Sequence, residues 1–368
     1  MFKINQNQIP MAKKSTNKPG NLNKQPEVCF VQFLHPGGEH TISKGIDVLY
    51  PWNYKDHKRK FLETTAQYVD HNNERQRGEI LFWGEWEPDS LARTIIPVPA
   101  NGTDLPHNIH NPLFITNKNG NVLAKPYIIN KKGNKVIRQN TDPFVFGNNF
   151  YYRLCQQGFT NGQIKNLEPG SIILFGSKRG GSSNPYFALN TVFVVKESRP
   201  YSTTTYANDL QGFIPNDYSE IMGLELWREC LNYKGYSPQK SNLAPGAKPV
   251  VYTCYKGASY SNPINGMYSF VPCVLSQTNP QGFERVRLTE ADFLNIGIPI
   301  PTKGIFNNKL NQHFKITITN IQDNKKIWDK LREIVHQQNC LEGVQMDYRH
   351  IIVPKNYINT IQLLTKNI

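Results

Sequence analysis

The stretch LEPGSIILFGSKRGGSSNPYFALNTVFVVKESRPY, residues 167–201, decides the fold. A Pro169-Gly170 turn feeds the apolar run Ile172–Phe175, and the Gly/Ser loop KRGGSSNPY follows. The valine-rich run FALNTVFVV comes next. Apolar, β-branched and aromatic runs bounded by turn formers read as strands, so the stretch is strand, loop, strand.

Moving outward, VCFVQFL (28–34) reads as a buried strand and GEILFWGEWEP (78–88) as a strand ending at Pro88. NPLFITNKNGNVL (111–123) is a hairpin with an Asn119-Gly120 turn, and KPYIINKKGNKVIR (125–138) repeats the pattern. HKRKFLETTAQYVD carries charged and apolar residues at helical spacing and predicts a helix from His57 to Val69. GLELWREC (223–230) predicts a short helix. VVYTCYKGASYSNPINGMYSFVPC (250–273) predicts two strands around a turn at Asn262-Pro263. Thr289, with Asp292 three positions on, is a helix start. FKITITNI (314–321) alternates as a strand does. NKKIWDKLREIVHQQ (324–338) sets Ile327, Trp328, Leu331, Ile334 and Val335 on one helical face. Adjacent strands outnumber strand–helix alternations. The expected class is α+β, β-dominated, with a barrel-like or mixed-sheet core and a second, smaller α+β part. Three segments are expected: a disordered basic tail (1–27), a β-rich domain for base recognition and catalysis (28–205), and an α+β C-terminal domain (206–368).

Residues 167–200 resemble the barrel strands of PUA-superfamily domains, including the EVE and YTH branches. In these a Pro-Gly turn opens a strand beside an aromatic base pocket. Ser171 stands where that family commonly has an acid. The resemblance implies a domain that recognises a nucleobase.

The chain has 368 residues and a formal net charge of +14. A chain this basic suits a polyanion. Its charged residues make up 19 %, so scarce acids contribute to the excess as much as abundant bases. No apolar run of roughly 18 residues is present, and no membrane span is expected. The six cysteines are scattered without a C-x-x-C pair, which disfavours a zinc ribbon or a disulfide framework and fits a reducing cytoplasm. No nucleotide-cofactor signature points to an oxidoreductase or a kinase.

His35-Pro36-Gly37-Gly38 resembles the haem-ligating string of cytochrome b5-like domains. Arg59 and Lys60 stand where the second axial histidine of that family would fall, so no haem and no other cofactor is expected. Six of the nine histidines lie between His35 and His110. Together with Glu39 they offer ligands for a divalent metal, but in no standard spacing, and no metal is assigned. In FWGEWEPDS (82–90), Trp83 and Trp86 flank Glu85, which suits a general acid or base, or an aromatic cage that reads a base. Thr141-Asp142-Pro143-Phe144 resembles the water-activating loop of uracil-DNA glycosylases. His35-Pro36 resembles the His-Pro loop of the same enzymes, in the opposite chain order. That resemblance implies Asp142 and His35 as catalytic residues, and Glu85 joins them from its place between the tryptophans. Trp83, Trp86, Phe144, Tyr151, Lys178 and Arg179 are the expected base and nucleic-acid contacts. The expected function is recognition of an extruded base, modified or unmodified, in nucleic acid, DNA before RNA, by a glycosylase-like hydrolase in phage defence or DNA modification. A non-catalytic modified-base reader and a metal-dependent nuclease using His35, Glu39 and His40 are the alternatives.

Overall fold

The computed structural model describes residues 28–35, 37–42, 45, 48–50, 58–88, 90–95, 104–116, 122–123, 128–131, 134–137, 141–155, 157, 164, 166–181, 183–202, 205–221, 251–299, 314–318 and 320–348. The fold is α+β and β-dominated. Its strands are β1 (Cys29–His35), β2 (Val48–Tyr50), β3 (Lys60–Val69), β4 (Arg75–Gly84), β5 (Ser90–Thr94), β6 (Asn108–Pro112), β7 (Ile115–Thr116), β8 (Val122–Leu123) and β9 (Ile128–Lys131). They continue as β10 (Asn134–Ile137), β11 (Tyr151–Tyr152), β12 (Ile172–Arg179), β13 (Tyr186–Ser202), β14 (Val251–Gly257), β15 (Val271–Leu275), β16 (Val286–Leu288), β17 (Phe314–Thr317) and β18 (Leu341–Met346).

Two seven-stranded sheets carry the core. The first runs β11-β14-β13-β12-β1-β17, with β16 on β13. The strand–loop–strand read from 167–201 is its centre: β12 and β13 pair antiparallel, and β1 lies parallel to β12. In the second sheet β3, β4, β15 and β18 close on themselves, β18 pairing back onto β3. Closure removes the edges of these strands; β3, β15 and β18 are buried along nearly their whole length, and β4 along its second half.

This closure explains the one element that helical spacing misreads. Residues 60–69 form strand β3, not a helix; His57 lies outside the described residues. Phe61 and Leu62 are adjacent and both fully buried, in different clusters. A strand covered on both faces loses the alternation that would have identified it, while Thr64-Thr65 favours extended backbone.

The expected domain seam near residue 205 is absent. Strands β14 and β17 complete the first sheet, and β15 and β18 complete the second, so residues on both sides of 205 build both cores. Nor do β14 and β15 form a hairpin around Asn262-Pro263; they belong to different sheets. Two tight turns lie between them, one closed by a Ser259–Asn262 bridge and the other, Asn265-Gly266 with φ of 47° and 76°, closed by an Ile264–Met267 bridge. Asn265 and Gly266 both sit in the left-handed region, where Asn and Gly are tolerated best. The two predicted hairpins are present as β7–β8 and β9–β10. The turn Asn119-Gly120, the helix expected at 223–230 and the tail 1–27 lie outside the described residues.

Thr289 caps the helix Glu290–Asn295 in a reciprocal box with Asp292. The helix Ile321–Gln337 buries the five apolar residues expected of it. Asn324 on the same face donates to the carbonyls of Gly170 (2.8 Å) and Cys29 (3.3 Å). Gly170 has φ +89°, and a Cβ there would run into Ile321, so the Pro-Gly turn needs its glycine both for conformation and for this docking.

Trp83 and Trp86 test the packing directly. Trp83 donates its Nε1–H to the Phe283 carbonyl and lies under the Arg285 guanidinium. Trp86 packs on Phe114 and Phe146. Both are core residues, 2 % and 1 % exposed, and neither offers a face to a base, which corrects the expected cage. Replacing either with alanine should cost about 3–5 kcal/mol of stability, measured by chemical denaturation. A variant that keeps full stability but loses ligand binding would return the residue to a binding role.

Candidate functional site

Several of the expected catalytic residues come together at the C-terminal end of β1, along with one that sequence reasoning did not select. His35 ends β1 and is buried. Its Nδ1 lies 3.4 Å from Oε2 of Glu85, just beyond β4. Its Nε2 lies 3.4 Å from Sγ of Cys155, in the segment after β11. Arg59 Nη1 holds the same Glu85 oxygen at 2.6 Å, with both side chains buried. Thiol, imidazole and carboxylate therefore form one continuous chain, anchored at its far end by a guanidinium.

Asp142 is the support of that chain. It is fully buried. Its Oδ1 accepts from the Arg153 amide (3.1 Å), and its Oδ2 accepts from the amides of Leu154 (2.9 Å) and Cys155 (2.8 Å). The Cys155 carbonyl accepts from the Tyr152 hydroxyl at 2.7 Å. Both backbone groups of Cys155 are thus held, and its side chain is aimed at His35. Burial pushes the Asp142 carboxyl up, against the opposing effects of Arg153 and the three amides. Both oxygens of this carboxylate are engaged by backbone amides, and it positions the segment Arg153–Cys155.

The Gly37-Gly38 segment near His35 is packed just as tightly. A Cβ on Gly37 would sit 3.0–3.1 Å from Arg179, Lys178 and Ser177. The Gly37 carbonyl accepts from Arg285 at 2.9 Å. Arg285 and Arg179 share the buried Asp104 carboxylate. The segment then pairs with the residue before β3: Arg59 N–H donates to Gly38 O, and His40 N–H donates to Arg59 O. The string His35–His40 is therefore a clamp that carries His35 and Arg59 to the same place.

The remaining expected contacts are placed elsewhere. Phe144 is core, between Tyr218 and Phe146. Arg179 is engaged with Asp104, and Lys178 lies beside it on β12. Tyr151 is buried but lines a half-open cleft of about 550 Å³ on a different part of the surface. The histidine cluster also has structural employment. Glu39 accepts from the His107 amide (2.7 Å) and the Asn108 amide (3.0 Å), and its other oxygen lies 2.7 Å from His107 Nδ1. His110 joins the Ser90 hydroxyl to the His40 carbonyl. Among the described residues no three His, Cys, Asp or Glu side chains are grouped to hold a metal ion.

Cys155 contrasts with the other described cysteines. Cys29, Cys254, Cys273 and Cys340 are buried, whereas Cys155 is half-buried. Burial pushes the thiols of Cys254 and Cys273 up, and that of Cys340 up to about 12. A thiol hydrogen-bonded to an imidazole, with a carboxylate behind it, is the arrangement that generates a nucleophile.

No protein-family model matches the sequence, no curated protein is significantly similar to it, and no solved structure matches its fold.

The buried histidines beside this clamp predict an acid-labile fold. Burial, then Lys60 and Lys58, lower His40 from 6.5 to about 3. Burial and Lys60 likewise hold His110 well below 6.5. Above pH 6.5 both are neutral whether the chain is folded or not, and neither affects the pH dependence of stability. As pH falls from 6.5 towards 3, the unfolded chain takes up protons that the folded chain refuses. Each histidine should then withdraw up to about 1.4 kcal/mol of stability per pH unit. Denaturation midpoints at pH 7.5, 6 and 5 should decline, and H110Q should flatten the decline. A flat profile down to pH 5 contradicts the burial of neutral histidines.

Proposed function

We propose that this protein is an enzyme that acts on nucleic acid through covalent catalysis by Cys155. The observation that carries the reading is the continuous Cys155–His35–Glu85 chain, with Sγ–Nε2 and Nδ1–Oε2 both at 3.4 Å. In this mechanism His35 takes the thiol proton, and Glu85, fixed by Arg59, holds the ring and stabilises the imidazolium. The thiolate adds to an electrophilic carbon of the substrate, forming an S–C bond. As the bond to the leaving group breaks, His35 returns the proton to that group. His35 then takes a proton from water, whose oxygen displaces the sulfur and regenerates the thiol. The net reaction is hydrolysis, which keeps the hydrolase expectation but moves the chemistry from Asp142 to Cys155. A reducing cytoplasm suits a free reactive thiol.

The nucleic-acid part of the reading rests on the net charge of +14 and on the PUA-like character of residues 167–200. Oligonucleotide affinity should fall linearly with rising salt on a log–log scale, as counterion release requires. A protein that ignores DNA and RNA at low salt contradicts this part.

The catalytic part can be tested without knowing the substrate. Iodoacetamide at pH 7, followed by peptide mass spectrometry, should alkylate Cys155 about tenfold or more faster than Cys29, Cys254, Cys273 and Cys340. H35N should slow Cys155 by a similar factor while leaving the melting temperature little changed. Equal Cys155 rates in the wild type and H35N would remove the catalytic reading. Salt-dependent binding that survives such a result favours the non-catalytic reader of a modified base.

A further inference from the structure

The cleft on which Tyr151 lies is separate from the thiol centre. Tyr151 and Tyr152 are adjacent on β11, so their side chains take opposite faces. Tyr152 packs against Phe33 and Phe175, the same residues that flank His35. Tyr151 instead packs on Tyr218 and opens onto the cleft. Its volume of about 550 Å³ lies in the range of small-molecule sites.

The lining has two characters. Tyr348, half-buried, supplies accessible aromatic surface, backed by the buried rings of Phe146, Tyr151 and Phe213, and Asn149 and Asp217 supply polar groups. Other polar groups in the cleft are committed to the fold. Asn148 accepts from Gln345, and Asp347 pairs with Arg77. Lys256 is 3.6 Å from Glu197. Asp217 and Asn149 make no side-chain hydrogen bond or ion pair among the described residues. Both are half-buried, which leaves an anionic acceptor and an amide for a ligand. Tyr348 senses this carboxylate: burial first, then Asp217 and Tyr151, push its phenol up.

We infer that this cleft takes an unstacked nucleobase bearing an exocyclic amino group; the inference rests on the nucleic-acid reading above. An accessible aromatic ring such as that of Tyr348 can stack on any base. Among bases, a carboxylate selects those with an amino donor, as it does for the N4 amino group of cytosine. Two carboxylates, Asp217 and Asp347, against one ammonium make the cleft a poor phosphate site. The base therefore enters first, and the sugar-phosphate stays outside.

Calorimetric titration with cytidine, adenosine, uridine and inorganic phosphate tests the inference. Cytidine and adenosine should bind about tenfold or more tighter than uridine, the worth of a hydrogen bond to a charged group, and phosphate should not compete. D217N should abolish the preference for cytidine over uridine while leaving the melting temperature unchanged, a readout that a purely structural role would not move. Should D217N fail to fold, N149A supplies the second variant and should weaken cytidine and adenosine binding. Uridine binding as tightly as cytidine, a preference that survives in D217N, or wild-type protein that ignores all three nucleosides overturns the cleft inference. If salt-dependent oligonucleotide binding persists in that case, only the cleft assignment falls. If it too is absent, the nucleic-acid reading falls with it.

Discussion

A single buried carboxylate organises the site. Asp142 has no contact with solvent and satisfies three consecutive amides, those of Arg153, Leu154 and Cys155. Consecutive N–H groups that converge on one point cannot join a strand ladder, so the chain after β11 must turn around the carboxylate. Removing that acceptor would strand the buried Arg153 amide, at a cost of about 1–3 kcal/mol, together with the part-buried amides of Leu154 and Cys155. The geometry of Cys155 follows from this. Its amide is held by Asp142 and its carbonyl by Tyr152, and the sulfur is left facing His35.

The other half of the site depends on the first sheet. β1 lies between β12 and β17 and delivers His35 at its end. Past that end, Gly38 and His40 pair with Arg59, whose guanidinium reaches Glu85. Glu85 comes from the second sheet, just beyond β4 of the closed ring. The site thus lies where the two sheets meet, and each sheet contributes groups that the other cannot supply. Because strands from both sides of residue 205 complete both sheets, the C-terminal part of the chain is a structural component of this junction.

The sequence made much of the architecture legible. The paired strands of 167–201, the capping residue Thr289 and the apolar face of 321–337 each carry a local signature that tertiary structure had no reason to override. The misread elements share a physical cause. β3 is covered on both faces, so its pattern carries no period of two, and its charged residues imitate an exposed helix. Lys60, fully buried, donates to the Pro88 carbonyl and to the Ser90 hydroxyl, bonds that no spacing rule anticipates. For the site, His35 and Glu85 were visible as chemically capable residues beside turns. Cys155 was only one of six scattered cysteines, and Arg59 one charge in a basic run. Nothing local separates a nucleophilic cysteine from a packed one; the distinction lies in which side chain arrives from 120 residues earlier. The tryptophans were legible as aromatic but not as core, because Trp83 sits in the half of β4 that is buried on both faces and Trp86, just beyond that strand, is covered by Phe114 and Phe146.

The central claim is that His35 works between Cys155 and Glu85. Long-range proton–nitrogen NMR of the His35 ring tests it most directly. The account predicts a neutral ring protonated on Nδ1, towards Glu85, with an Nε2 resonance that moves when Cys155 is alkylated. A ring protonated on Nε2, with both nitrogen resonances indifferent to alkylation of Cys155, would contradict it.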